Sequence, residues 1–280
     1  MRALEAIKNG SNLLKENKIP SHILDSEILL SKTLGKSREE ILINLEQKIN
    51  SKDIDKFQDY LNRRAKNEPV AYIIEEKEFW SKKFKVNKGS LIPRPETELL
   101  VNNLTDTYFG KKISILDVGT GSGCIIISLL SCLKKSKGIG IDISKEAIFL
   151  SEKNAKQHCL FNRVKFLNKS IDSLVNKKFD LIVSNPPYIM KKDIKKLDED
   201  IKQYEPKLAL DGGNDGLDLI KKVIYKASEI LKINGILAIE IGNKQFKKVS
   251  KILYKKNFKI EHNLKDYKDN IRCVISKLNR

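Results

Sequence analysis

The sequence predicts an α/β chain: a parallel sheet covered by helices on both faces, preceded by a small all-helical domain and a β-hairpin linker. Three observations predict it. Apolar residues recur at helical spacing from Leu4 to Leu61, short aromatic and β-branched stretches fill Val70 to Ile92, and strand-like runs then alternate with helical patterns. Such alternation is the mark of a parallel sheet whose crossovers are helices. The expected division is 1–70 helical, 71–92 hairpin linker and 93–280 sheet domain.

The first helix is carried by Leu4, Ile7, Leu13 and Leu14, and the second, after Pro20-Ser21, by Ile23, Leu24, Ile28, Leu29 and Leu30 up to Gly35. Ser37 and Glu40 form a capping-box pattern before Ile41-Leu42-Ile43. A further helix starts near Ser51, shows Ile54, Phe57, Tyr60 and Leu61 on one face, and stops before Pro69. Ala71-Tyr72-Ile73-Ile74, Phe79-Trp80 and Phe84-Lys85-Val86 read as hairpin strands, and Glu96 to Asn103 as a helix. The sheet strands are expected at Ile113–Val118, Gly138–Ile143, Val164–Leu167, Phe179–Ser184 and Ile236–Ile241, with Phe258–His262 and Ile271–Ser276 as a closing hairpin.

Composition narrows the function. The apolar run Cys124 to Leu133 is too short to cross a bilayer, and Met1-Arg2-Ala3-Leu4-Glu5 lacks the apolar stretch of a signal peptide, so a cytoplasmic location is expected. Four cysteines, Cys124, Cys132, Cys159 and Cys273, make no C-x-x-C pair and have no histidines at metal-ligand spacing, so no metal is expected. The formal charge of +18 favours anionic partners in general. Lysine dominates the basic residues and is spread along the chain, whereas phosphate and base readers lean on the bidentate arginine fork. A solvated lysine surface outweighs a dedicated nucleic-acid groove.

Asp117-Val118-Gly119-Thr120-Gly121-Ser122-Gly123 follows an apolar strand and opens an apolar helix. Glycines in that setting let the backbone turn tightly and approach a ligand. The spacing is G-x-G-x-G with Cys124 in place of a third dinucleotide glycine, and no Walker lysine follows. Alone it is a weak signal, since a structural turn can be glycine-rich. Ile139-Gly140-Ile141-Asp142 adds weight, because it puts a carboxylate at the end of the next strand, about 20 residues on, where ribose hydroxyls are bound. Asp142 could instead cap a helix, but Ser144 is available for that. Asp117 should either order the loop amides or reach the cationic end of a ligand.

Asn185-Pro186-Pro187-Tyr188 leaves the strand Phe179–Ser184, which by doubly wound rules neighbours the first strand and its glycine loop. An amide or aromatic amine nitrogen is a poor nucleophile because its lone pair is delocalised. An enzyme helps by accepting both N–H hydrogens and aiming the lone pair at an electrophile. The Asn185 side-chain oxygen and the Pro186 carbonyl can be those acceptors. Pro186 and Pro187 stiffen the loop and remove competing donors, and Tyr188 offers a flat face for a planar group. Asn-Pro is also an ordinary turn signal, and only its position after a strand, downstream of the glycine loop and Asp142, tips the balance.

G-x-G-x-G with the acidic strand end resembles the class I S-adenosylmethionine methyltransferases. The resemblance implies a Rossmann-like seven-stranded sheet with S-adenosylmethionine as cofactor, held by Asp117, Gly119, Thr120, Gly121, Ser122, Gly123, Asp142 and Asn185 and, at the adenine, near Ser170. Asn-Pro-Pro-Tyr also resembles DNA adenine and some RNA guanine methyltransferases. Glu78-Phe79-Trp80, Arg94-Pro95-Glu96-Thr97-Glu98, Tyr204-Glu205-Pro206, Leu210-Asp211-Gly212-Gly213, Glu240-Ile241-Gly242 and Asp266-Tyr267 resemble the release-factor glutamine methyltransferases, the PrmC/HemK family. That resemblance runs over nearly the whole chain. It implies methylation of the glutamine amide in the Gly-Gly-Gln loop of peptide-chain release factors, with the helical domain docking the protein substrate.

Release factors are then the expected partners, with no direct nucleic-acid binding, no membrane and a monomer as the default. Arg94, Glu96 and Glu98 are as well suited to locking the domain entrance as to chemistry, and Glu240 and Asp211-Gly212-Gly213 read as structural. One departure stands out: Glu75 occupies a position where the family usually has glycine, which predicts an altered hairpin turn. Methylation of a ribosomal-protein glutamine or of a nucleic-acid amino group are the alternatives. Intact Gly119, Gly121, Gly123, Asp142 and Asn185 argue against a non-catalytic ribosome-binding protein.

Overall fold

The computed structural model describes residues 1–175 and 177–279. They group into two compact units, Met1–Glu76 with Asp198–Tyr204, and Lys77–Leu197 with Glu205–Arg280.

The first unit is helical: α1 (Ala3–Glu16), α2 (His22–Leu34), α3 (Arg38–Ile43), α4 (Ser51–Ala65) and α5 (Val70–Ile74). Leu14, Leu29, Leu30, Ile41, Phe57 and Leu61 form its core. Gly10 lets α1 lie close to its neighbours, since a Cβ there would meet Ser26 Oγ at 2.6 Å. The Ser37–Glu40 capping box opens α3, and Gly35 ends α2 in the left-handed region at φ +64°. Arg64 donates to Asp25 at 2.7 Å inside this core.

The strand reading of Ala71–Ile74 is corrected: these residues form α5, a single helical turn. A short apolar run carries too little period to separate strand from helix. Here Pro69, at φ −57°, launches the turn, and Glu75 ends it at φ +58°. Glu75 is therefore a helix C-cap, and the hairpin turn lies elsewhere.

The hairpin is β1 (Glu76–Phe79) and β2 (Lys82–Lys85), in the second unit from Lys77 onward. Trp80 and Ser81, at φ +53° and +52°, make its two-residue turn, so Trp80 belongs to the turn and not to a strand. The rest of this unit is α6 (Glu98–Tyr108), β3 (Ser114–Val118), α7 (Cys124–Cys132), β4 (Lys137–Asp142), α8 (Lys145–Gln157), β5 (Val164–Asn168), β6 (Phe179–Ser184), α10 (Asp218–Ile230), β7 (Leu231–Glu240), α11 (Phe246–Lys255), β8 (Phe258–Lys265) and β9 (Ile271–Leu278); α9 (Glu199–Tyr204) belongs to the first unit.

Seven strands form one sheet in the order β5-β4-β3-β6-β7-β9-β8. All neighbours run parallel except β9, which is antiparallel to both β7 and β8. One face is covered by α7 residues such as Ile126, Ile127 and Leu130, the other by α10 and α11 residues such as Ile220, Val223, Val249 and Leu253. Strand order reverses between β3 and β6, the topological switch point where open α/β sheets bind ligands. Both the glycine loop after β3 and Asn185 after β6 leave the sheet there.

Candidate active site

The glycine loop takes the shape its sequence demands. Gly119, Gly121 and Gly123 sit at φ +70°, +54° and +80°, a region L-residues enter only at a cost of roughly 1–2 kcal/mol. Among the described residues, and apart from the adjoining residues of the loop, no atom lies within 4 Å of a Cβ built on Gly119 or Gly121, so the loop leaves open space beside it. Thr120 Oγ1 donates to Asp117 Oδ2 at 2.7 Å, and Asp142 Oδ2 accepts the Gly121 amide at 3.0 Å. Asn154, fully buried, donates to the carbonyls of Ser122 and Lys85 and so ties the loop to β2. Asp142 Oδ1 accepts the Ser144 amide at 2.9 Å, while the Ser144 hydroxyl caps α8 by accepting from Ala147. The capping duty thus falls to Ser144, and each oxygen of Asp142 keeps a lone pair.

A cavity of about 450 Å³ opens beside the loop, a size suited to a nucleoside-sized ligand. Of the sequence-predicted site residues, Gly119, Thr120, Gly121, Ser122, Asp142, Ser170, Asn185 and Pro187 line it. Asp117, Gly123, Pro186 and Tyr188 do not. Asp117 lies beneath the loop with no exposed surface and its Oδ1 unpartnered; burial pushes its carboxyl up to about 7 against the pull of the Thr120 bond. Burial also raises Asp142, offset by the backbone amides of Ser144 and Gly121. Apolar wall comes from Ile141, Ile143, Ile171 and Leu219, and Lys88, Lys169, Lys207 and Lys222 add cations.

Behind Asn185 runs a chain of hydrogen bonds that spacing did not reveal. Asn185 Nδ2 donates to Thr97 Oγ1 at 3.0 Å, and Thr97 Oγ1 donates to Glu240 Oε2 at 2.6 Å. Tyr188 Oη donates to Glu240 Oε1 at 3.2 Å and accepts from Arg272 Nη2 at 3.0 Å. The Arg272 guanidinium carbon stands 5.5 Å from the Tyr188 ring centroid. Glu240 is fully buried at the end of β7, and burial raises its carboxyl while Thr97, Arg272 and Tyr188 oppose the shift. Arg272 arrives on β9, whose register sets Cys273 opposite Glu240.

The Arg94–Glu98 motif has divided roles. Arg94 lines the cavity and pairs with Glu205 at 2.5 Å. Glu98 accepts the Trp80 amide at 2.8 Å, fixing the hairpin turn onto α6. Gly212 lets the Asn185–Tyr188 loop pass, since a Cβ there would meet the Pro187 carbonyl at 2.8 Å. Gln245 holds the same loop by donating to the Tyr188 carbonyl at 3.0 Å. The missed residues are Thr97, Gln245 and Arg272 for the loop and the lysines of the cavity; only Thr97 had a signal, its place inside a singled-out motif.

Two family models match the chain, a PrmC N-terminal domain over residues 5–74 and a methyltransferase domain over residues 109–276. The release factor glutamine methyltransferase of Clostridium acetobutylicum is 38% identical over 99% of this chain and 98% of its own length. That of Fusobacterium nucleatum is 39% identical over 98% of this chain and 78% of its own. In fold alone, a methyltransferase from Pyrococcus furiosus superposes with a TM-score of 0.55 at 18% identity, covering 78% of this chain and 99% of the other. The sheet order agrees with these matches, and the chain belongs to the release factor glutamine methyltransferase family, with the class I methyltransferase fold.

Proposed function

We propose that the protein transfers a methyl group from S-adenosylmethionine to the side-chain amide nitrogen of the glutamine in the Gly-Gly-Gln motif of peptide-chain release factors. The observation that carries the reading is that Asn185 lines the same cavity as the Gly119–Gly121 loop and Asp142. The cofactor fits the residues present. Asp142 has lone pairs for two ribose hydroxyls, and Ser170 and Ile143 line a wall against which a flat base can lie. When bound, S-adenosylmethionine supplies an electrophilic methyl group on a sulfonium centre.

The chain's own residues orient the acceptor. Asn185 Oδ1 and the Pro186 carbonyl take the two N–H hydrogens of the glutamine amide, which turns its lone pair toward the methyl and holds an in-line approach. Pro187 stiffens the loop, and Tyr188 supports the planar group. The nitrogen sheds one proton to solvent with transfer. The helical unit serves as the docking domain for the protein substrate, in a cytoplasmic enzyme acting as a monomer.

The test is to incubate the pure protein with labelled S-adenosylmethionine and, separately, release factors, ribosomal proteins, DNA and RNA, and to locate label by mass spectrometry. Label on the Gly-Gly-Gln glutamine is expected; label on nucleic acid alone would sink the reading. Asn185→Ala should lower transfer by roughly 10²–10³-fold with the fold intact, the scale of losing one oriented hydrogen-bonding group.

A further inference from the structure

We propose that Glu240, acting through Thr97, sets which end of the Asn185 side-chain amide faces the cavity, making Thr97 and Glu240 positioning residues for methyl transfer. The inference rests on the functional reading above only for what the oriented amide does; the orientation itself is a property of the protein.

The polarity of the chain follows from its two ends. Arg272 can only donate, so the Tyr188 oxygen accepts from it and its hydrogen is left for Glu240. With the Arg272 guanidinium 3.9 Å from its Oε1, Glu240 is taken as the ionised partner of that cation; a carboxylate can only accept, so the Thr97 hydroxyl spends its single hydrogen on Glu240. Thr97 then has only lone pairs to offer Asn185, and Asn185 must present Nδ2 to it. The Oδ1 end is left over; Asn185 and Thr97 both line the cavity, and with the Thr97 hydroxyl spent on Glu240 and on Nδ2, Oδ1 is the acceptor of Asn185 left for it. An amide whose two ends are nearly the same size is thereby held with its acceptor available to a substrate N–H. With the ends exchanged, a donor would face a donor.

Thr97 and Glu240 are suited to holding that setting. Thr97 is 2% exposed and Glu240 0%, so water does not compete for their bonds. They come from opposite parts of the chain, Thr97 from the turn before α6 and Glu240 from the end of β7. Neither lies close enough in sequence to Asn185 for local backbone geometry to explain the contact.

The test uses Thr97→Val, which keeps shape but removes the hydroxyl, Thr97→Ser, which restores it, and Glu240→Gln, which offers Thr97 a donor. One readout needs no substrate: hydrogen exchange of the Asn185 side-chain NH2 by NMR, assigned by its absence in Asn185→Ala. It should be protected in the wild type and in Thr97→Ser, and exchange at least tenfold faster in Thr97→Val. The second readout is methyl transfer to a release factor. Thr97→Val and Glu240→Gln should lower kcat at least tenfold with the Kd for S-adenosylmethionine within about twofold, and Thr97→Ser should recover most of the rate. Unchanged exchange and unchanged kcat in Thr97→Val would overturn the proposal. If Glu240→Gln does not fold, the Val and Ser pair still decides. A wild-type protein that labels no release factor refutes the functional reading while the exchange measurement still judges the orientation.

Discussion

Asp142 Oδ2 accepts the backbone amide of Gly121 at 3.0 Å, so the carboxylate at the end of β4 also shapes the loop that follows β3. Asp142→Ala should therefore weaken S-adenosylmethionine binding twice over, through lost ribose acceptors and a loosened loop. We expect Kd to rise on the order of 10²-fold, about 2.7 kcal/mol, by isothermal calorimetry. A Kd within twofold of wild type would remove Asp142 from the cofactor site.

Glu75 closes α5 in the left-handed region, where the added Cβ is unfavourable. Glu75→Gly relieves that strain and loses some of it to unfolded-state entropy. The net expectation is a gain of about 0.5–1 kcal/mol in urea unfolding. A destabilised variant would mean that the Glu75 side chain has a compensating partner.

Asp117 should make stability depend on pH. Its carboxyl is pushed by burial from 3.8 up to about 7, so the folded state holds the proton more tightly than the unfolded chain. That contribution is fully present below the unfolded value near 3.8 and is lost as pH rises through about 7. The stability difference between wild type and Asp117→Asn should accordingly move against the wild type between pH 4 and 7, by an amount of order a few kcal/mol. Chemical denaturation across that range measures it, and parallel curves would contradict the buried charge.

Arg64 and Asp25 pair inside the helical unit with both side chains 8% exposed. Arg64→Met leaves an uncompensated buried carboxylate and should cost about 3–5 kcal/mol. Asp25→Asn combined with Arg64→Met should restore part of it, because no isolated charge remains. Thermal unfolding of the single and double variants compares the two, and an additive loss would argue against a direct pairing.

The sheet and half of the site were legible because they obey local rules. Strand periodicity ends at Val118, Asp142 and Ser184, so the glycine loop, the Asp142 carboxylate and Asn185 could each be placed at a strand mouth. Val70–Ile74 misled because β-branched residues favour strands while Pro69 and the turn geometry imposed one helical turn. The support behind Asn185 was not legible for another reason. Thr97, Glu240 and Arg272 meet through tertiary register, in particular the alignment of β9 on β7, which no residue spacing encodes.

The position of β9 also bears on how the enzyme comes into being. It pairs antiparallel with β7, lies between β7 and β8, and carries Arg272 to Tyr188. It is synthesised after every element it completes. A nascent chain emerged through Glu240 already holds the glycine loop, Asp142 and Asn185, but β7 still has a bare outer edge and Tyr188 still lacks its cation. Completion of the Tyr188 side thus waits on the β8–β9 hairpin, and until that hairpin arrives the exposed edge of β7 is the place where a folding intermediate would be captured by a chaperone or pair with another strand.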